Sequence, residues 1–183
     1  MFLMHSQRSK QVKTGRILQA NIVLVSSLGS LREQFPEKRI VLATGCFDIL
    51  HIGHVRFLQF ASQQGDILVV GVNSDSSIKV IKGHHRPIIS QEERLELIAA
   101  LRCVDYVFIH ENIVADEYIF SLKPDVFAIG EESVKLYPSE TKAAKDIGAR
   151  IHIVKRIPSM STTLILANLK SINENSDHVA PIE

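Results

Sequence analysis

Two histidines three residues apart, His51 and His54, stand in the stretch Gly45-Cys46-Phe47-Asp48-Ile49-Leu50-His51-Ile52-Gly53-His54. Imidazoles at that spacing share one face of a first helical turn. Unpaired backbone N–H groups and the positive end of the helix macrodipole favour an anion there. Gly53 removes a side chain between the two rings, so a bulky polyphosphate can approach the backbone. The chemistry such a pair serves is charge neutralisation on phosphate by two adjustable donors. The plain alternative is a pair of surface histidines capping a helix, and the flanking elements decide between the two.

Before the pair, residues 39–44 form an apolar run that reads as a strand; after it, residues 55–61 have the pattern of an amphipathic helix. A tight glycine-containing loop joins them. Gly65 suits the stop of that helix, and residues 67–72 read as a second, buried strand with Asn73-Ser74-Asp75 at its C-terminal end. Residues 79–88 follow as a basic loop containing Gly83 and Pro87. Ser90-Gln91-Glu92-Glu93 is a capping box that opens a helix to about Arg102. Further strands are expected at 104–109, 126–129 and 150–154, and helices at 113–122 and 139–147, the latter stopped by Gly148. Ser161 caps a last helix over 162–172, and an early helix over 27–35 ends at Pro36.

Five short apolar strands alternating with helices argue an α/β domain with a parallel sheet and right-handed crossovers. Ligands in such sheets bind beyond the C-terminal strand ends, at the topological switch point. The loop that carries the histidines lies at such an end. The chain has neither Gly-x-Gly-x-x-Gly nor Gly-x-x-x-x-Gly-Lys-Ser/Thr, which speaks against a nicotinamide dehydrogenase and a P-loop ATPase.

The 183 residues suffice for one domain with a sizeable core, placed at 21–172 between a basic flexible tail at 1–20 and a polar tail at 173–183. A formal charge of +1 gives no reason to propose nucleic acid or an anionic membrane as a partner. Cys46 and Cys103, far apart in sequence, make no disulfide framework, and a cytoplasmic location is expected. No apolar run reaches the length of a membrane span. Arg8, Lys10, Lys13 and Arg16 all precede the first acidic residue, Glu33, as in an organelle-targeting peptide. No amphipathic Arg-rich helix emerges there, so a short solvated extension is the reading adopted.

The stretch from Gly45 to His54 resembles the signature of the cytidylyltransferase-like nucleotidyltransferases. It is also similar to the HIGH motif of class I aminoacyl-tRNA synthetases, but the chain lacks room for a synthetase's additional domains. The resemblance implies a Rossmann-like, HUP-type three-layer domain, here with a five-stranded parallel sheet. It continues through Val72-Asn73-Ser74-Asp75 to Lys82-Gly83-His84-His85-Arg86-Pro87-Ile88, where the D-glycero-D-manno-heptose 1-phosphate adenylyltransferases of ADP-heptose synthesis are the most similar branch. Glu93-Arg94 matches the family's Glu-Arg pair, and Ser161-Thr162-Thr163 its hydroxyl triplet before the last helix. Arg156 matches an arginine of the glycerol-3-phosphate cytidylyltransferases.

By this resemblance, His51, His54, Lys82 and Arg94 carry the reaction at the phosphates. Gly45, Cys46, Phe47, Asp48, Gly53, Asn73, Asp75, Gly130, Arg156, Ser161, Thr162 and Thr163 hold the nucleotide. Mg²⁺ would arrive with a nucleoside triphosphate, and related enzymes are commonly homodimers. No protein metal site is expected, since His51, His54, His84 and His85 lack Zn spacing and a nearby cysteine ligand. Cys46 lacks the partners of a nucleophile. The implied reaction is transfer of a nucleoside monophosphate to a phosphorylated small molecule with release of pyrophosphate. Adenylyl transfer to a heptose 1-phosphate in surface-polysaccharide synthesis leads.

The run Ala128-Ile129-Gly130-Glu131-Glu132 lacks the lysine that the heptose branch carries before its glycine pair, and His110 to Val114 lacks its Thr-Pro. Those departures keep a cytidylyltransferase for glycerol 3-phosphate or a related polyol phosphate open. A catalytically silent nucleotide-binding module is the third reading. ATP is favoured over CTP because the contiguous match around Lys82 is the longer one.

Overall fold

The computed structural model describes residues 20–155 and 161–175. Its centre is β2 (Ile40–Gly45), whose first four residues are fully buried and point alternately to opposite faces. Ile40 and Leu42 enter one core, Val41 and Ala43 the other. That period of two is why a continuous apolar run serves a strand covered on both faces. β3 (Ile67–Asn73) is buried along all seven residues for the same reason. β4 (Tyr106–His110), β5 (Val126–Gly130) and β6 (Arg150–Val154) complete the expected strands.

The sheet has six strands rather than five, in the order β1-β4-β3-β2-β5-β6, every pair parallel. The additional strand, β1 (Asn21–Ile22), pairs with Tyr106 and Val107 at the edge. Two exposed residues carry no alternation, so only tertiary pairing defines them.

Helices cover both faces. α1 (Leu28–Gln34), α5 (Asp116–Leu122) and α7 (Pro138–Asp146) supply Leu28, Leu31, Ile119, Leu122 and Ala144 to one core. α2 (Ile52–Ser62) and α4 (Gln91–Ala99) supply Leu58, Ala61 and Ile98 to the other. This is the three-layer α/β arrangement. The capping box that opens α4 is present, with Ser90 Oγ accepting from Glu93 N and the Glu93 carboxylate accepting from Ser90 N.

Two helices interrupt segments expected to be irregular. α3 (Asp75–Lys82) occupies much of the stretch read as a basic loop. Ser74 caps it, its Oγ accepting from Ser77 N at 3.2 Å, and Gly83 ends it at φ 90°, a conformation glycine adopts without cost. α6 (Glu131–Leu136) starts directly after β5. Gly65 does not end a helix in the left-handed conformation: a Cβ there would lie 2.5 Å from the Arg39 carbonyl oxygen and 2.6 Å from Val41 Cγ2. Close packing is what demands glycine. α8 (Thr162–Asn175) runs past the expected end at residue 172. The tails expected at 1–20 and 173–183 lie largely outside the described residues, although Ala20 is buried and donates its N–H to Ala99 O at 2.7 Å.

In this order the chain lays β3 and β4 on one side of β2 and then returns to lay β5 and β6 on the other. The loops after β2 and β5 therefore diverge, and the crevice they leave is the switch point where such sheets take ligands.

Candidate active site

The loop between β2 and α2 is bent by two non-glycine residues in the left-handed region, Phe47 at φ 49° and Ile49 at φ 52°. Each costs on the order of 1 kcal/mol or more and persists only where surroundings over-determine it. Here they do. Phe47 is buried in the core. The buried Asp48 carboxylate accepts from Arg86 Nε at 2.6 Å and from the N–H groups of Ile88 and Ile89, while its backbone oxygen accepts from Thr162 Oγ1 at 2.8 Å. Asp48 thus pins the loop to the segment before α4 and to the start of α8.

Arg94 holds the same loop from behind. The resemblance implies that it reaches a triphosphate, but the structure buries it completely, with each guanidinium nitrogen donating to the protein. Nε donates to Ile89 O at 3.0 Å, Nη1 to Cys46 O at 2.6 Å and Nη2 to Asp75 Oδ1 at 2.7 Å. Asp75, expected to hold nucleotide, is here the carboxylate partner of that arginine. Asn73 is buried at the end of β3, its Nδ2 donating to Ser77 Oγ at 3.3 Å.

So positioned, His51 is the N-cap of α2, and its Nδ1 accepts from Gly53 N at 3.1 Å. The capping bond fixes the proton of the neutral ring on Nε2. It also engages the Gly53 N–H, which is therefore not an open phosphate donor. His54 stacks on His51 with ring centroids 3.8 Å apart, and Phe47 meets it edge-on at 5.4 Å. Burial, with the neighbouring His51 and Lys82, lowers the His54 pKa to about 3. Its donor is a neutral imidazole at any working pH. Burial likewise pushes the Cys46 thiol up, away from a nucleophilic thiolate.

Both histidines face a cleft made of two chambers. The first, about 390 Å³, is lined by His51, Gly53, His54, Lys82, Gly130, Lys155 and Ser161-Thr162-Thr163. The second, about 470 Å³, lies over the ends of β2, β3 and β4 and is lined by Gly45, Cys46, Phe47, Asn73, His110, Tyr137 and Glu140. His54, Phe57, Lys82, Gly130, Glu132 and Ser133 line both and form the wall they share. Ser161 caps α8, its Oγ accepting from Leu164 N at 3.2 Å. Arg156 lies outside the described residues.

A family model described as cytidylyltransferase-like matches residues 42–174. The chain belongs to the cytidylyltransferase-like family. Relatives include the bifunctional protein HldE of Pelobacter propionicus, 38% identical over 164 residues that cover 90% of this chain and 32% of the relative. The bifunctional protein HldE of Nitratiruptor sp. is 43% identical over 134 residues, 73% of this chain and 28% of the relative. The chain thus spans about a third of the length of the curated relatives it matches. A solved lipopolysaccharide core biosynthesis protein from Thermoplasma volcanium is 30% identical with a TM-score of 0.53, covering 66% of this chain and 97% of that one. A pantoate-beta-alanine ligase from Francisella tularensis shares the fold at 15% identity and a TM-score of 0.60, over 88% of this chain and 82% of that one.

On this cytidylyltransferase-like domain, sequence reading missed Glu131, Glu132, Ser133 and Lys155 around the first chamber and His110, Tyr137 and Glu140 around the second. His110 was within reach, since it is the last residue of β4 and ligands gather at such ends. Glu140 arrives on α7 and Tyr137 just before that helix, and no local pattern marks them.

Proposed function

We propose that this cytidylyltransferase-like chain transfers the adenylyl group of ATP to a sugar 1-phosphate, in the first instance a heptose 1-phosphate, and releases pyrophosphate. The observation that carries the reading is the stacked His51–His54 pair at the start of α2, beside Lys82, in a cleft at the switch point. An acceptor phosphate is already ionised at neutral pH, so its oxygen attacks the α-phosphorus without a strong base. The new P–O bond forms as the bond to pyrophosphate breaks. What the protein must supply is alignment and donors that strengthen as charge develops in the transition state.

His51 Nε2 and the His54 ring serve as those donors, and Lys82 adds the positive charge. Gly130 and the Ser161–Thr163 start of α8 lie across the first chamber and suit the rest of the nucleotide. Glu131 and Glu132 line the same chamber, and no cluster of three metal-ligating side chains exists among the described residues. That donor set suits Mg²⁺ carried in on the triphosphate and touched by one or two carboxylates rather than a resident ion. When bound, the ion neutralises phosphate charge.

The lipopolysaccharide core title of one solved relative and the HldE name of several curated ones support a sugar phosphate as acceptor. The competing choice, CTP with a polyol phosphate, leans on Arg156. We further propose a cytoplasmic homodimer; no described helix is long and apolar enough to cross a membrane. Sedimentation giving a fully active monomer at micromolar concentration would remove the dimer.

The deciding assay is pyrophosphate release from MgATP and MgCTP, each with heptose 1-phosphate, other sugar 1-phosphates and glycerol 3-phosphate. Turnover with ATP and a sugar 1-phosphate is expected. Turnover only with CTP and a polyol phosphate would replace the acceptor and the base. Nucleotide binding with no turnover on any pair would make the chain a silent module.

A further inference from the structure

The second chamber differs in chemistry from the first. The first is edged by cations, hydroxyls and helix starts, which suit phosphates, and by Glu131 and Glu132, which suit the ion that accompanies them. Beyond the shared wall, the second offers uncharged or protonatable polar groups: Asn73, His110, Tyr137 and Glu140. Its 470 Å³ falls within the range of small-molecule pockets, about 300–1,000 Å³.

His110 is 1% exposed, and its Nδ1 makes no hydrogen bond among the described residues. Leaving a buried polar atom unpaired is costly, so a ligand group that pairs with it gains by doing so. Burial holds this ring neutral, with a pKa of about 4, and a neutral ring can accept as well as donate. Glu140 is 4% exposed, and its Oε1 accepts from Ala115 N at 2.9 Å. Desolvation raises its carboxyl to about 7, so the protonated form, which donates as well as accepts, is present near neutrality. Tyr137 completes the set from the lip of the same helix. Donor–acceptor groups of this kind match hydroxyls, which also do both.

We infer that the second chamber is the acceptor site, and that His110, Tyr137 and Glu140 select a polyhydroxylated phosphate ester. Its phosphate lies on the shared wall of His54 and Lys82, and its hydroxyls lie toward those three side chains. This rests on the transfer reading above. It names residues that determine which acceptor is used, not residues that act at phosphorus. An acceptor without hydroxyls would leave Nδ1 of His110 unpaired and bind poorly.

The test is steady-state kinetics of the full chain with MgATP and whichever acceptor of the sugar 1-phosphate and glycerol 3-phosphate panel the wild type uses. The variants are Tyr137→Phe, His110→Leu and Glu140→Gln. We expect Tyr137→Phe and His110→Leu each to raise the KM of the acceptor about tenfold and Glu140→Gln, whose amide still donates and accepts, to keep it near the wild-type value, with the KM of ATP and the titrated affinity for MgATP unchanged throughout. Tyr137→Phe removes a single oxygen from a half-buried side chain and keeps the test valid if His110→Leu fails to fold. An unchanged acceptor KM in Tyr137→Phe would overturn the assignment, as would a rise in the KM of ATP instead. Failure of the transfer reading looks different, since the wild type itself would then turn over no acceptor.

Discussion

His54 is held neutral by burial, and that sets what replacing it can do. Removing one donor aimed at a transition state typically costs 10²–10³ in kcat. His51→Ala and His54→Ala are each expected to lower kcat about a hundredfold or more while the circular dichroism spectrum stays that of the wild type. Near-normal turnover by a folded variant would place the chemistry elsewhere. Glu140 allows a sharper test, through pH. Its carboxyl is raised from 4.5 to about 7, so between those values the folded chain binds a proton that the unfolded chain has lost. The stabilisation is fully present below pH 4.5 and disappears as pH rises through 7. His54 and His110 act in the opposite sense, their neutral rings losing stability as pH falls below 6.5. Urea unfolding of wild type and Glu140→Gln at pH 5 and pH 8 isolates the first effect. Wild type should lose ground to the variant at the higher pH, and a difference independent of pH would mean that Glu140 is not held protonated. The sequence made the histidines legible because their role follows from spacing. Arg94 was not legible in the same way, since its partners are two carbonyl oxygens and a carboxylate that only the folded loop brings to it.

At the scale of elements, the strands were readable where burial on both faces writes a continuous apolar run, as in β2 and β3. β1 was not, because its two exposed residues are strand only by pairing with β4. α3 does not show in the sequence because Lys79, Lys82 and Gly83 mask a Ser74 cap and a single buried isoleucine, Ile78. The helix bears on function, because Lys82 reaches the cleft from its last turn and not from a free loop. The loop after β2 owes its shape to Asp48, which gathers Arg86, Ile88, Ile89 and, through its carbonyl, Thr162. Replacing Asp48 by Ala strands a largely buried guanidinium and two N–H groups, a loss of the class that costs about 3–5 kcal/mol. Denaturant unfolding of Asp48→Ala should show that loss together with collapse of kcat. A cost below about 1 kcal/mol would mean that the ion pair is not what shapes the loop.

The molecule as a whole brings strand ends from both sides of the switch point to one cleft: β2, β3 and β4 with the start of α2 on one side, β5 and β6 with the start of α6 on the other. A ligand that spans the cleft touches both sides and ties them together. A nucleotide that binds only the folded chain adds about 2.7 kcal/mol of stability at a hundred times its Kd. For a domain of this size that corresponds to a rise in Tm of roughly 5–10 °C. Base choice then becomes visible without catalysis, because a mismatched base leaves buried polar groups unpaired and binds more weakly. Thermal unfolding with MgATP and with MgCTP at equal concentration is expected to give the larger shift with ATP. A CTP shift exceeding that of ATP by the equivalent of about 1.4 kcal/mol, tenfold in Kd, would overturn the adenylyl assignment and leave transfer at the His51–His54 pair intact. Equal, negligible shifts at millimolar nucleotide would count against the first chamber as a nucleotide site at all.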